Sequence, residues 1–139
     1  MTELSAAASL GLLVLRLGAG LICAVHGYPK MTGLGSQEKA SRAHLTLSIE
    51  RLGLPFPYFL AIVVGTIEFV GGILVIVGLL TRIAALALAI VLLVATGRNF
   101  LQKQFLGSAD FPFSVLVAVL ALALIGAGAI SFDSLLFAR

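Results

Sequence analysis

Two ionisable residues interrupt long apolar runs: Arg16 within Leu4–Val25 and Glu68 within Leu60–Leu80. A lone charge at the centre of a membrane-spanning helix costs about 2.5–3.5 kcal/mol on insertion scales, so such residues point to a site or to a partner. Opposite charges at similar depth on consecutive antiparallel helices predict an Arg16–Glu68 ion pair inside a bundle. On an ideal helix, His26 falls roughly 80° and Lys30 roughly 40° from Arg16, which places all three on one broad face. On the second run Ala61, Gly65, Glu68, Gly72 and Arg82 share a face. Small residues on both stripes let membrane helices approach closely and bring their charged neighbours together.

The chemistry of that set is cationic and hydrogen-bonding. Arg16, His26 and Lys30 suit an anion, a lipid phosphate or a polarised carbonyl such as a quinone's, while Glu68 and Arg82 orient them or accept a proton. Arg16, His26, Lys30, Glu68 and Arg82 therefore form the candidate ligand-binding set. Two blander roles stay open: an Arg16–Glu68 pair that only fixes helix register, and a His26 hydrogen-bonded to a headgroup. The chain has two histidines, His26 and His44, the second in a loop, and one cysteine, Cys23. These numbers disfavour a metal site, a bis-histidine haem or a disulfide shuttle, and Cys23 reads as a small packing residue. No nucleotide-binding loop occurs, and no residue pattern binds a cofactor covalently.

The elements that must position these residues are long apolar helices. Sixty per cent of the 139 residues are hydrophobic, 11% are charged and the mean hydropathy is +1.17. That balance is far from a soluble domain's. About 20 apolar residues at 1.5 Å per residue cross a hydrocarbon core of roughly 30 Å. Four runs qualify, at about Leu4–His26, Pro57–Leu80, Ile83–Asn99 and Pro112–Ile130. The expected fold is all-α: a single four-helix transmembrane bundle occupying the whole chain. The net charge of +3 is dispersed among loops and helix ends, which suits lipid phosphates and argues against nucleic acid.

The one long connection, Gly27–Phe56, has its own pattern. Ser36–Leu52 places Leu45, Ile49 and Leu52 at helical spacing, with Glu38, Lys39, Arg42, Glu50 and Arg51 on other faces. This predicts a short amphipathic helix on the membrane surface or over the bundle mouth, covering the His26–Lys30 end. Lys30, Lys39, Arg42, Arg51, Arg98 and Lys103 belong to the long-loop side, against Arg82 and Arg139 on the other. The positive-inside rule then places the long loop in the cytoplasm and both termini outside. Glu3 stands where a secretory signal carries basic residues, so the first helix is expected to persist in the mature protein.

Several of these residues also carry a resemblance. Arg16-x-Gly18-x-Gly20 followed by His26-Gly27 and Lys30 resembles the first-helix signature of the DoxX family of small bacterial membrane proteins. Leu52-Gly53-Leu54-Pro55, Glu68-x-x-Gly71-Gly72 with Gly78-x-x-Thr81-Arg82, and Gly128-x-x-Ser131-x-Asp133 resemble that family's later motifs, in the same order. The resemblance implies a four-helix bundle in the bacterial plasma membrane and, for part of the family, membrane-associated redox chemistry. The family's name derives from a quinone-reducing thiosulfate oxidoreductase of sulfur-oxidising archaea. Relatives often have a histidine near the end of the third helix, where this chain reads Gly97-Arg98-Asn99, and the acidic residue before Phe-Pro is Asp110.

Two functions follow as expectations. One is a redox-linked subunit that binds a quinone or small anion within the bundle, with no covalent cofactor and, at most, a share in a quinone-linked oxidoreductase. The other is an accessory subunit packed against a larger respiratory or photosynthetic complex. The expected partners are membrane lipids and either other subunits or further copies of the chain. A transporter is disfavoured because no midplane helix break is evident.

Overall fold

The computed structural model describes residues 6–101 and 105–137. Its helices are α1 (Ala6–Thr32), α2 (Ser36–Arg51), α3 (Pro57–Val77), α4 (Thr81–Leu101), α5 (Asp110–Ile125) and α6 (Phe132–Phe137), with a π-helical turn at Phe105–Ala109. There is no strand among the described residues. Helices α1, α3 and α4, and the segment Gly107–Ile125, are each long and apolar enough to cross a membrane. The spans alternate in direction, so α2 and the α4–α5 connection lie at one end, and the α3–α4 turn and α6 at the other. The sequence-based start of the first helix at Leu4, and the charges Lys103 and Arg139, lie outside the described residues.

Small residues set how α1 and α3 pack. A Cβ added to Gly20 would stand 2.7 Å from the Gly72 carbonyl oxygen, and one on Gly72 would stand 2.6 Å from that of Gly20. Lower down the pair, a Cβ on Gly65 would meet the Met31 nitrogen at 2.6 Å. Backbone approaches this close need glycine on both sides. They also fix the antiparallel register: Gly20 lies against Gly72 and Gly27 against Gly65. Arg16 is therefore level with Ile76, and Glu68 with Ala24.

Helix α1 runs six residues beyond the expected end at His26, through Pro29 to Thr32. Proline removes one hydrogen bond from a helix. Here the packing of Gly27 against Glu68 and Phe69 holds the turn, and Arg42 of α2 satisfies the last carbonyls. At the other end the fourth span stops at Ile125 rather than Ile130. Gly126 and Gly128 adopt φ of +94° and +79°, a region open to glycine, so they end the helix instead of only permitting close packing within it. The core between α1, α3, α4 and α5 is built on Leu12, Val75, Leu88, Leu92, Val119 and Leu122. The outward faces of α4 and α5 remain apolar, with Ile83, Leu93 and Leu124 exposed, as lipid contact demands.

Candidate functional site

The register separates the two central charges. Arg16 and Glu68 lie about eight residues, roughly 12 Å, apart along the helix axes. The expected Arg16–Glu68 pair does not form, and each residue has a different partner.

Arg16 is 2% exposed and donates only to backbone carbonyls. Its Nε reaches the Val75 oxygen at 3.1 Å and one terminal nitrogen reaches that of Ile76 at 3.1 Å. The other nitrogen reaches Ala127 and Ile130 at 2.7 and 2.6 Å. These carbonyls belong to the end of α3 and to the non-helical stretch after α5. Backbone that leaves a helix near membrane depth persists only where protein groups satisfy it. A planar guanidinium with five donors supplies that here. Asp133 completes the same end: its carboxylate accepts from the Leu80 and Thr81 nitrogens at 2.6 and 2.9 Å, capping α4. Asp133 thus ties the start of α6 to the α3–α4 turn. Arg82 sits nearby beside Gly126, with a long contact of 3.4 Å to the Ile125 oxygen.

Glu68 pairs instead with Lys30, with Nζ 2.5 Å from Oε2. It is the one ion pair among the described residues, and the two side chains are 20% and 8% exposed. The extension of α1 makes this possible, because it carries Lys30 on helix past Gly27 and onto α3. His26 lies elsewhere: it is exposed, its Nδ1 is 2.9 Å from the Ile22 oxygen, and its ring sits 5.3 Å from that of Phe111 on α5.

The five residues expected to converge are thus split three ways. Arg16 and Arg82 serve the α6 end, Lys30 and Glu68 meet at mid-depth on the α2 side, and His26 faces outward. Arg82 borders a cavity of about 560 Å³ at the α6 end, and Lys30 and Glu68 border one of about 630 Å³ on the α2 side. Its floor is α3, through Leu60, Val64, Ile67 and Glu68; α4 contributes Ile90, Val91, Val94, Ala95 and Arg98. The remaining wall is α2, through Ser41, His44, Leu45, Ser48 and Ile49. That helix covers the bundle mouth at Lys30, as its spacing predicts, but it does not cover His26.

Helix α2 is held in place by Arg42. Its Nε donates to the Lys30 oxygen at 2.8 Å, one terminal nitrogen donates to the Met31 oxygen, and the other donates to the Tyr58 hydroxyl at 2.9 Å. The guanidinium also stacks 5.6 Å from the Tyr58 ring centre. Arg42 is therefore a packing residue, not the solvated charge its place on the helical wheel suggests.

Sequence reasoning missed His44 and Arg98 as cavity residues. Arg98 donates through Nε and a terminal nitrogen to Asn99 Oδ1 at 3.2 and 2.9 Å, and Asn99 donates to the Ser108 oxygen at 2.8 Å. Among the described residues Arg98 has no carboxylate partner. Its position where relatives often have histidine was the available signal; His44 offered none beyond its loop. Chemically the cavity is an apolar chamber. At mid-depth it has an ammonium with two unspent donors and a carboxylate whose Oε1 has no partner among the described residues. No group of three histidine, cysteine, aspartate or glutamate side chains suited to a metal occurs among the described residues.

Comparison with known proteins gives a family and a relative. The family model described as DoxX covers residues 11–121. A protein of Bacillus subtilis (strain 168), named "Putative oxidoreductase CatD", is 33% identical over 129 residues, spanning 92% of this chain and 88% of that relative. No solved structure matches.

Proposed function

Starting from the fact that this multi-pass membrane chain belongs to the DoxX family, we propose that it is a redox-linked membrane protein whose α2–α3–α4 cavity binds a quinone. The observation that carries this reading is the Lys30–Glu68 pair set in the wall of an apolar chamber of about 630 Å³. A packing device alone would be closed over. This one borders space large enough for a ring, and two ammonium protons and one carboxylate oxygen have no partner among the described residues. The oxidoreductase name of the Bacillus relative points to the same class of chemistry.

Lys30 is the residue that would touch a ligand carbonyl. One of its three donors is spent on Glu68, and the others are held in place by that bond. Its positive charge stabilises negative charge arriving on an acceptor oxygen, and the low dielectric of the chamber strengthens that effect. Glu68 keeps the ammonium oriented and supplies a second proton site beside it. Bound there, a quinone would supply the two-electron chemistry; the chain supplies the hydrogen bonds, the charge and a dry chamber. Arg98 and His44 line the part of the cavity towards the loop side and add polar contacts there.

The test is quinone titration of the protein in lipid nanodiscs. Replacing both members of the pair (Lys30→Met with Glu68→Leu) should weaken binding by about 10–100-fold, the worth of a charged hydrogen bond of roughly 1.5–3 kcal/mol. His26→Ala, outside the cavity, should leave binding unchanged. Unaltered binding in the double variant would refute the site and leave the accessory-subunit role standing.

A further inference from the structure

The cavity lining reaches the outward face of α4, away from the loop side. Glu68 lies 11 residues from the start of α3 and Ile90 lies 11 residues from the end of α4, each roughly 16 Å from the same face of the bundle. Both are at mid-membrane depth. Ile90 and Val94 line the cavity, yet they are 66% and 53% exposed on the outward face of α4. A side chain can do both only at a rim. The rim therefore opens sideways, between α2 and α4, at the level of the hydrocarbon core. Leu52 and Leu54, in the link between α2 and α3 at the loop end, also line the cavity and are 45% and 47% exposed, so the apolar rim continues towards that end. Lys30 and Glu68 are set back from this rim, 20% and 8% exposed, whereas His44 on α2 lines the cavity and is exposed.

Resting on the quinone reading above, we infer that the ligand of this cavity is a tailed amphiphile loaded sideways from the bilayer. Its head sits at Lys30 and Glu68, and its tail leaves through the Ile90–Val94 portal and stays among the lipid chains. The division of chemistry carries this. A water-soluble ligand has no use for an apolar mouth at hydrocarbon depth, whereas a tailed ligand does. A tail that remains in lipid in both the free and bound states neither gains nor loses apolar burial. The portal thus removes the penalty that a closed chamber would impose on long tails.

Three probes test this in nanodiscs: a tail-less benzoquinone, the same headgroup on a long isoprenoid tail, and an alkyl alcohol with a photoreactive diazirine in its chain. Wild-type protein should bind the two quinones with affinities equal within about threefold once partition into empty nanodiscs is subtracted. Ile90→Trp and Val94→Trp fill the portal with an apolar group suited to a lipid-facing surface. They should weaken the tailed quinone more than about tenfold while changing the tail-less one by less than about twofold. Leu124→Trp, on the lipid face of α5, should change neither. Rejection of the long-tailed quinone by wild type, or equal retention of both quinones in the tryptophan variants, overturns the portal. The alcohol reports the portal without a quinone head. It should label Val64 on the cavity floor in wild type and lose that label in the tryptophan variants. Floor labelling without quinone binding would refute the headgroup reading alone; an unlabelled floor would refute the portal.

Discussion

Replacing Arg16 with methionine should cost this protein about 3–5 kcal/mol, and the loss should have nothing to do with Glu68. Four guanidinium bonds disappear; the Val75 carbonyl keeps a 3.2 Å bond from the Gly78 nitrogen, whereas the Ile76 and Ala127 carbonyls lose the one donor that reaches them among the described residues. Each buried carbonyl left without a donor costs roughly 1–3 kcal/mol, which for two gives about 2–6 before any relaxation. Methionine has nearly the right length and apolarity, so cavity formation adds little. Arg16→Lys should recover only part of the loss, because one ammonium cannot bridge carbonyls from α3 and the post-α5 stretch in the same plane. The assay is a double-mutant cycle on unfolding in mild detergent, with Glu68→Leu as the second change and hydrogen exchange followed over residues 126–137. The coupling between Arg16 and Glu68 should be within about 0.5 kcal/mol of zero, as for sites with no shared partner. Exchange in the 126–137 segment should rise in Arg16→Met alone. A coupling of several kcal/mol, or unchanged exchange at that segment, would refute the argument.

Three further outcomes follow. Lys30→Met alone should destabilise by about 3–5 kcal/mol by leaving Glu68 charged and unpaired, whereas Lys30→Met with Glu68→Leu should lie near wild type in thermal unfolding. Asp133→Ala should lower stability by about 1–2 kcal/mol through loss of the cap on α4, with faster hydrogen exchange at Leu80 and Thr81. Arg42→Ala should free α2: exchange across Ser36–Arg51 should rise sharply while the core of α4 and α5 stays protected.

The spans were legible because apolar length is a direct physical requirement of a bilayer, and α2 was legible because its apolar residues repeat at helical spacing. The helix ends were less so. The end of α1 depends on the contact of Gly27 with α3 and on Arg42, neither of which a local pattern contains. The Arg16–Glu68 expectation failed because charge was matched to charge while acceptors without charge were overlooked; backbone carbonyls at a broken helix end leave no mark in composition. Yet the register was recoverable. Matching Gly20 to Gly72 and Gly27 to Gly65 places Glu68 opposite Ala24 and frees it for Lys30. Arg82 was drawn into the set by treating the second span as one helix to Leu80, whereas the chain turns at Gly78, φ +74°, and Arg82 belongs to α4. His44 was read only as a loop histidine that disfavours a metal site, although the helix expected over the bundle mouth contains it.

The most direct measurement is the infrared carbonyl stretch of an isotope-labelled quinone bound to the protein in nanodiscs. If Lys30 donates to that carbonyl, the band should shift down on binding to wild type and to His26→Ala. In the Lys30→Met, Glu68→Leu variant it should return to its position in plain lipid. A shift that survives removal of the pair, or a band identical in empty and protein-containing nanodiscs, would contradict the assignment of this cavity.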